Sequence, residues 1–178
     1  MRLFVAIDLP DGVKQSVADL CRGVPGVRWL PPEQLHLTLR FIGEADEAVD
    51  GAIRRGLAAI VSPPFPLALR GVGCFPSPRR PRVLWVGLGG SDPLHRLQQA
   101  VEAAVNGAGV PAEERPFSPH ITLARLREHG ETGIAPFLAR NASFQGEPFT
   151  VDAFYLYSSI LTPQGAIHRR EASYPLAG

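Results

Sequence analysis

Lysine is almost absent from this chain: Lys14 is the only one, so nearly all of the positive charge is arginine. A guanidinium forks onto anions, which suits phosphate recognition, but a GC-rich genome produces the same bias without any functional cause. Net charge is equally sparse. At +1 over 178 residues, no global field draws in a polyanion, and any such partner has to be held by a local patch. The two cysteines, Cys21 and Cys74, make neither a disulfide framework nor a metal site, and each sits among apolar neighbours as a small buried side chain. Long hydrophobic runs are missing too. The opening MRLFVAIDLP soon meets Asp8, Pro10 and Asp11, too early for a membrane span and wrongly flanked for a signal peptide. These absences point to the reducing cytoplasm and to a protein with no membrane partner, and nothing demands more than a monomer. What is present, 45% apolar and 20% charged residues, suffices for a single domain over residues 1–178 with a real core.

Along the chain, strand and helix signals alternate. RLFVAIDL reads as a strand, and PDGVKQSVADLCRG as a helix with apolar spacing at Val13, Val17, Leu20 and Cys21. LHLTLRFIG is the next strand, after a loop containing LPPEQ. A helix over residues 46–60 carries Val49, Ile53, Leu57 and Ile60, and SPPFP stops it. PLALRGVGCF and RVLWVGL are strands joined by the tip PSPRRP. The order then repeats: a helix over 92–108, the strand HITLARL, a short helix near 132–141, and the strand FTVDAFYLYSSI.

Aligning His36 on His120 sets HLTL on HITL and, without a gap, Pro64 and Phe65 on Pro148 and Phe149. Two copies are too few for an array, so the pattern predicts an α+β, bilobal protein with two pseudo-twofold lobes of antiparallel sheet plus helices around a central groove. Each lobe is expected as β-α-β-α-β, the internal repeat dividing at approximately 1–80 and 81–178. Side chains alternate along a strand, so His36 and Thr38 share one face while Leu35, Leu37 and Leu39 share the other. His120 and Thr122 likewise stand opposite Ile121 and Leu123. A buried polar row is costly unless satisfied, whereas a wet cleft between the lobes removes the penalty.

Two facing imidazoles suit the opening of a cyclic phosphodiester. One takes a proton from attacking water and the other protonates the departing oxygen, and a reference pKa of about 6.5 leaves both forms accessible near neutral pH. The hydroxyls of Thr38 and Thr122 can donate to the nonbridging phosphate oxygens. The chemistry requires no cofactor, metal or covalent intermediate, and neither histidine has Asp, Glu or Cys beside it at ligand spacing.

These paired motifs, with MRLFVAIDLP, HLTLRFIGE, FPSPRRPRVLWVGL and RPFSPHITLAR, resemble the LigT-like branch of the two-histidine (2H) phosphoesterases. These are the RNA 2′,3′-cyclic phosphodiesterases, historically called 2′-5′ RNA ligases. The resemblance covers essentially the whole chain. It implies a bilobal α+β fold with its site in the central groove, acting on RNA 3′ ends that carry a cyclic phosphate, or on cyclic nucleotides, to leave a 2′-phosphate. By the same resemblance His36 is the proton donor to the leaving 3′-oxygen and His120 the proton acceptor, although twofold symmetry makes the roles exchangeable in principle. Arg125 stands where the family has a phosphate- or base-contacting arginine. Strict alternation sets it on the face opposite His120, and a twist, bulge or strand end has to turn it inward. Arg40 falls by alternation on the His36 face, or is a solvent-exposed position near the strand end.

Two further readings stand beside hydrolysis: 2′-5′ RNA ligation as a side reaction, and capture of RNA ends or nucleotides without turnover. Phe4 and Tyr157 are candidates to stack on a nucleobase, with core packing the alternative for Phe4. The SPRRPR tip, residues 77–82, either touches the RNA backbone or is simply solvated. His95, His129 and His168 lack any repeated context and read as surface residues.

Overall fold

The computed structural model describes residues 1–127 and 133–178. The described chain runs β1 (Arg2–Asp8), α1 (Asp11–Leu20), a 3-10 turn (Pro32–Gln34), β2 (His36–Glu44), α2 (Glu47–Ala58), β3 (Phe65–Leu67), β4 (Leu69–Phe75) and β5 (Val83–Leu88). It continues with α3 (Asp92–Gly107), β6 (Ile121–Arg125), α4 (Ile134–Arg140), β7 (Phe149–Val151), β8 (Ala153–Thr162) and β9 (Gly165–Pro175). Helices α2 and α3 start where the sequence supplies caps. The Asp46 side chain accepts from the Val49 N–H, and the Ser91 side chain accepts from the Leu94 N–H, each satisfying an amide that the first turn leaves free. Of the helix expected over 132–141, residue 132 lies outside the described residues.

One antiparallel sheet has the order β4-β5-β6-β2-β1-β8-β9, and β3 pairs with β7 in a second, short sheet. The helices cover the sheet with apolar faces at i, i+3 and i+4, such as Leu94, Leu97, Val101 and Val105 on α3, all buried. Beneath them Leu37, Leu84, Val86 and Ile121 are fully buried, each such side chain stabilising the fold by about 1.5–3 kcal/mol. This core fixes which strand faces are left for a site.

The two sheets reveal the symmetry. Strand β2 meets β6 through the single pair Leu37↔Ile121, and β3 meets β7 centred on Pro66↔Thr150. Both pairs join positions 84 residues apart in the chain, so one pseudo-twofold axis passes through both. The repeating unit differs from the expected β-α-β-α-β. PLALRGVGCF divides into β3 and β4 at Ala68, and FTVDAFYLYSSI divides into β7 and β8 at Asp152. The units are also exchanged: β4 of the first repeat pairs with β5, and β8 of the second pairs with β1. Each half of the large sheet therefore borrows a strand from the other repeat. Strand β9, which the sequence pattern did not announce, adds an edge through its hairpin with β8.

Candidate active site

The Leu37↔Ile121 pair places the two motifs side by side on one face of the sheet. Continuing that antiparallel register sets His36 across from Thr122 and Thr38 across from His120, with the two imidazoles on a diagonal. Such diagonal neighbours lie roughly 7–8 Å apart, room for one phosphorus between two rings. All four residues line a groove of ≈ 600 Å³, together with Arg125, Phe41, Phe75, Val83 and residues 115–118 of the loop before β6. Neither threonine hydroxyl is bonded to any described residue, so both are available to a ligand.

Each motif strand carries a β-bulge. In β2 the register passes from Thr38 to Arg40 against Ala6 and Val5, leaving Leu39 extra; in β6 it passes from Thr122 to Ala124 against Trp85 and Leu84, leaving Leu123 extra. Leu39 and Leu123 are again 84 apart. An extra residue reverses the alternation beyond it. Arg125 thereby joins His120 and Thr122 on the groove face. The same bulge corrects the expectation for Arg40: it leaves the His36 face and is 7% exposed. Its guanidinium donates to Glu102 of α3 and to the carbonyls of Phe41 and Pro111, so it fastens β2 to the segment entering the groove wall. In its place the bulge delivers Phe41, 60% exposed at the groove lip. Sequence reasoning missed Phe41. The signal lay in the repeat itself: Phe41 occupies in HLTLRF the place of Arg125 in HITLAR, so whatever turns one inward turns the other.

The two histidines have unlike surroundings. His36 is 8% exposed, its ring centroid 4.6 Å from that of Tyr157 and 6.0 Å from that of Phe4. Phe4 and Tyr157 are both buried and stacked on one another at 5.1 Å, so they form a bed for His36 and leave no free face for a base. Burial pushes the His36 imidazole down to about 4; Asp8 opposes this, and His168, Lys14 and Arg170 reinforce it. Asp8, directly across from His36 on β1, is itself bound by Lys14 at 3.0 Å and Arg170 at 2.8 Å. His120 is more open, and its Nδ1 lies 2.7 Å from the Ser118 carbonyl. A carbonyl only accepts, so Nδ1 is the donor, and in the neutral ring the lone pair falls on Nε2. Phe75 meets the His120 ring edge-on at 4.9 Å, and Trp85 lies behind it. The Trp85 ring crosses Gly73, where an added Cβ would come within 2.3 Å of it.

His168 also differs from its reading as a surface residue. On β9, its ring is 5.4 Å from that of His36 and edge-on to Phe4 at 5.0 Å, with Nδ1 buried and unpartnered among the described residues. Burial first, and the Arg125 charge second, hold its pKa below the usual imidazole value. Its strand was not foreseen, so neither was its place. His95 is exposed, as expected, and His129 lies outside the described residues. Among the described residues no three His, Cys, Asp or Glu side chains cluster as metal ligands, and no helix is long and apolar enough to cross a membrane.

A twofold sheet offering one histidine and one threonine from each half to a common groove is the architecture of a two-histidine phosphoesterase. The chain belongs to the 2′-5′ RNA ligase superfamily, whose sequence signature matches residues 4–161. It is 34% identical over 172 residues to an RNA 2′,3′-cyclic phosphodiesterase of Archaeoglobus fulgidus, covering 95% of this chain and 97% of that one. It is 39% identical over 149 residues to an Aeropyrum pernix protein of the same name, covering 83% and 84%. Among solved structures it resembles Escherichia coli LigT, crystallised with 3′-AMP, with a TM-score of 0.80 and 26% identity over 99% of this chain and 98% of that one.

Proposed function

We propose that this protein is an RNA 2′,3′-cyclic phosphodiesterase, hydrolysing a terminal cyclic phosphate to a 2′-phosphate by acid–base catalysis between His120 and His36. The observation that carries the proposal is the diagonal of two imidazoles and two unbonded hydroxyls on one face of β2 and β6. His120 Nε2 accepts a proton from water, whose oxygen attacks phosphorus. The Ser118 carbonyl, 2.7 Å from Nδ1, stabilises the imidazolium that forms. The bond from phosphorus to O3′ breaks, and His36 donates the proton that makes the 3′-hydroxyl. Thr38 and Thr122 donate to the nonbridging oxygens, and Arg125 offsets their charge. Phe41 supplies the exposed aromatic face for the terminal base, the part first considered for Phe4 and Tyr157.

The donor role of His36 depends on substrate. Burial keeps its free imidazole neutral at pH 7, with a pKa of about 4, and an anionic phosphodiester beside it supplies the opposite charge that favours protonation. His36 is thus charged as an acid by the substrate it serves. Of the nearby cations, Lys14 and Arg170 are held by Asp8, and Arg125 lines the groove where that anion would sit.

The test is incubation of the protein with a 2′,3′-cyclic-phosphate oligonucleotide in EDTA, with the phosphate position mapped in the product. A 2′-phosphate formed by wild type and not by His120→Ala supports the proposal. Saturable binding with no product favours the capture reading, and joined ends in excess of hydrolysed ends favour ligation.

A further inference from the structure

We infer that the β4–β5 hairpin tip is the track for the RNA backbone upstream of the cyclic end, with Arg79 and Arg80 contacting its phosphodiesters; this rests on the proposed function. The first observation is continuity. Val83, on the groove wall, pairs with Arg125, and the Leu126 N–H donates to the Arg82 carbonyl. The strand pair that presents Arg125 to the terminal phosphate therefore runs without interruption into the tip. From Val83 to Arg80 is three residues, a reach of at most about 10 Å, enough to pass from the reacting phosphate to the next one or two along a strand.

The second observation is charge. Arg79, Arg80, Arg82, Arg125 and Arg127 fall within residues 75–83 and 125–127, which contain no Asp or Glu. In a chain of net charge +1 this is the local patch that a polyanion requires. The Arg79 and Arg80 side chains are exposed and form no ion pair with any described residue, and the turn is held by Ser77, whose carbonyl accepts from the Arg80 N–H at 3.2 Å.

The third observation is the broken symmetry. Phe75 on β4 and Ser159 on β8 are 84 residues apart, and each leads into a hairpin. The first hairpin carries the arginines. The second, residues 160–167, has no charged residue and exposes Ile160, Leu161 and Ile167. The two ends thus differ: the first tip presents Arg79 and Arg80, whereas near the second Arg28 is tied to the Gln164 carbonyl at 2.9 Å and Arg170 to Asp8 at 2.8 Å. A strand leaving toward the first tip meets guanidiniums not already engaged by described residues, which orients the RNA in the groove.

The experiment compares wild type with Arg79→Ala/Arg80→Ala on two substrates, 2′,3′-cyclic AMP and a tetranucleotide ending in a cyclic phosphate. Binding of a fluorescein-labelled tetranucleotide with a 2′-phosphate is followed in parallel from 50 to 200 mM salt. Loss of two single-strand phosphate contacts lowers the slope of log Kd against log salt by about 1.4. The expected variant binds the tetranucleotide about 10-fold more weakly at low salt, loses any preference for the longer substrate, and turns over cyclic AMP at the wild-type rate. An unchanged salt slope and unchanged tetranucleotide binding overturn the track. Wild-type protein that binds the tetranucleotide but hydrolyses neither substrate overturns the proposed function and leaves the binding measurement to decide the track.

Discussion

The first and second motifs occupy twofold-related places, yet the two histidines live in different chemical worlds. His36 lies on stacked Phe4 and Tyr157, nearly dry, with three other cationic or titratable groups pressing against its protonation. His120 sits at the open end of a loop, its Nδ1–H tied to a carbonyl at 2.7 Å. Duplication explains the geometry, because a twofold through Leu37 and Ile121 brings any residue beside one motif near its copy beside the other. It does not explain the division of labour we propose for them. That comes from the unrepeated surroundings: β9 with His168 and Arg170 on one side, the loop with Ser118 on the other.

The largest expected break in the comparison is loss of either ring. His36→Ala and His120→Ala each lower kcat by at least about 10²-fold and up to about 10⁴-fold, measured with a cyclic-phosphate oligonucleotide. The double variant should fall little further, because an acid and a base that act on one transition state are not additive. Retention of wild-type kcat in either single variant would end the mechanism. The next contrast lies one step along each strand. Arg125→Ala, removing charge from the transition state, should cost roughly 10²-fold in kcat/KM. Phe41→Ala removes one base stack and should cost roughly 10-fold, mainly in KM. Equal effects on kcat from both would mean that the two bulge-turned residues do the same work.

The His36 site should make stability fall with pH. The unfolded His36 titrates near 6.5 and the folded one near 4, so the unfolded chain binds more protons between those values. Its contribution is present above pH 6.5 and is lost as pH falls toward 4. Urea unfolding at pH 7 and pH 4.5 should show a loss of about 2 kcal/mol that His36→Phe abolishes, by about 1.4 kcal/mol per pKa unit. An identical loss in that variant would assign it elsewhere. The smallest effect is the finest. With substrate raising the His36 pKa, the alkaline limb of kcat should lie above that of kcat/KM, since the former reports the complex and the latter the free enzyme. Superimposed limbs would remove His36 from the acid role.

Much of this was legible beforehand, and unevenly. Helices α2 and α3 ended within about two residues of their apolar spacing and caps, because capping and burial of one face are local or nearly so. Strand β9 was missed: as an edge strand its pattern is largely polar, with only Tyr174 buried, and its pairing with β8 is set by the hairpin around Pro163 to Gly165. His168 was lost along with it. Arg40 was placed on the wrong face by counting in twos, a rule that holds only while the ladder stays regular.

The sequence by itself determined the repeated motif, the identities of the two histidines and two threonines, and their common face, because alternation over three residues needs no knowledge of the partner strand. Only the tertiary structure decided which residue follows them into the groove. The extra residue just past each motif, Leu39 against β1 and Leu123 against β5, reverses the pleat and sends Arg125 and Phe41 inward and Arg40 to Glu102. It also decided the lowered pKa of His36. That depends on aromatic neighbours from β1 and β8 and on His168 from β9, brought to His36 from distant parts of the chain by the strand exchange between the repeats.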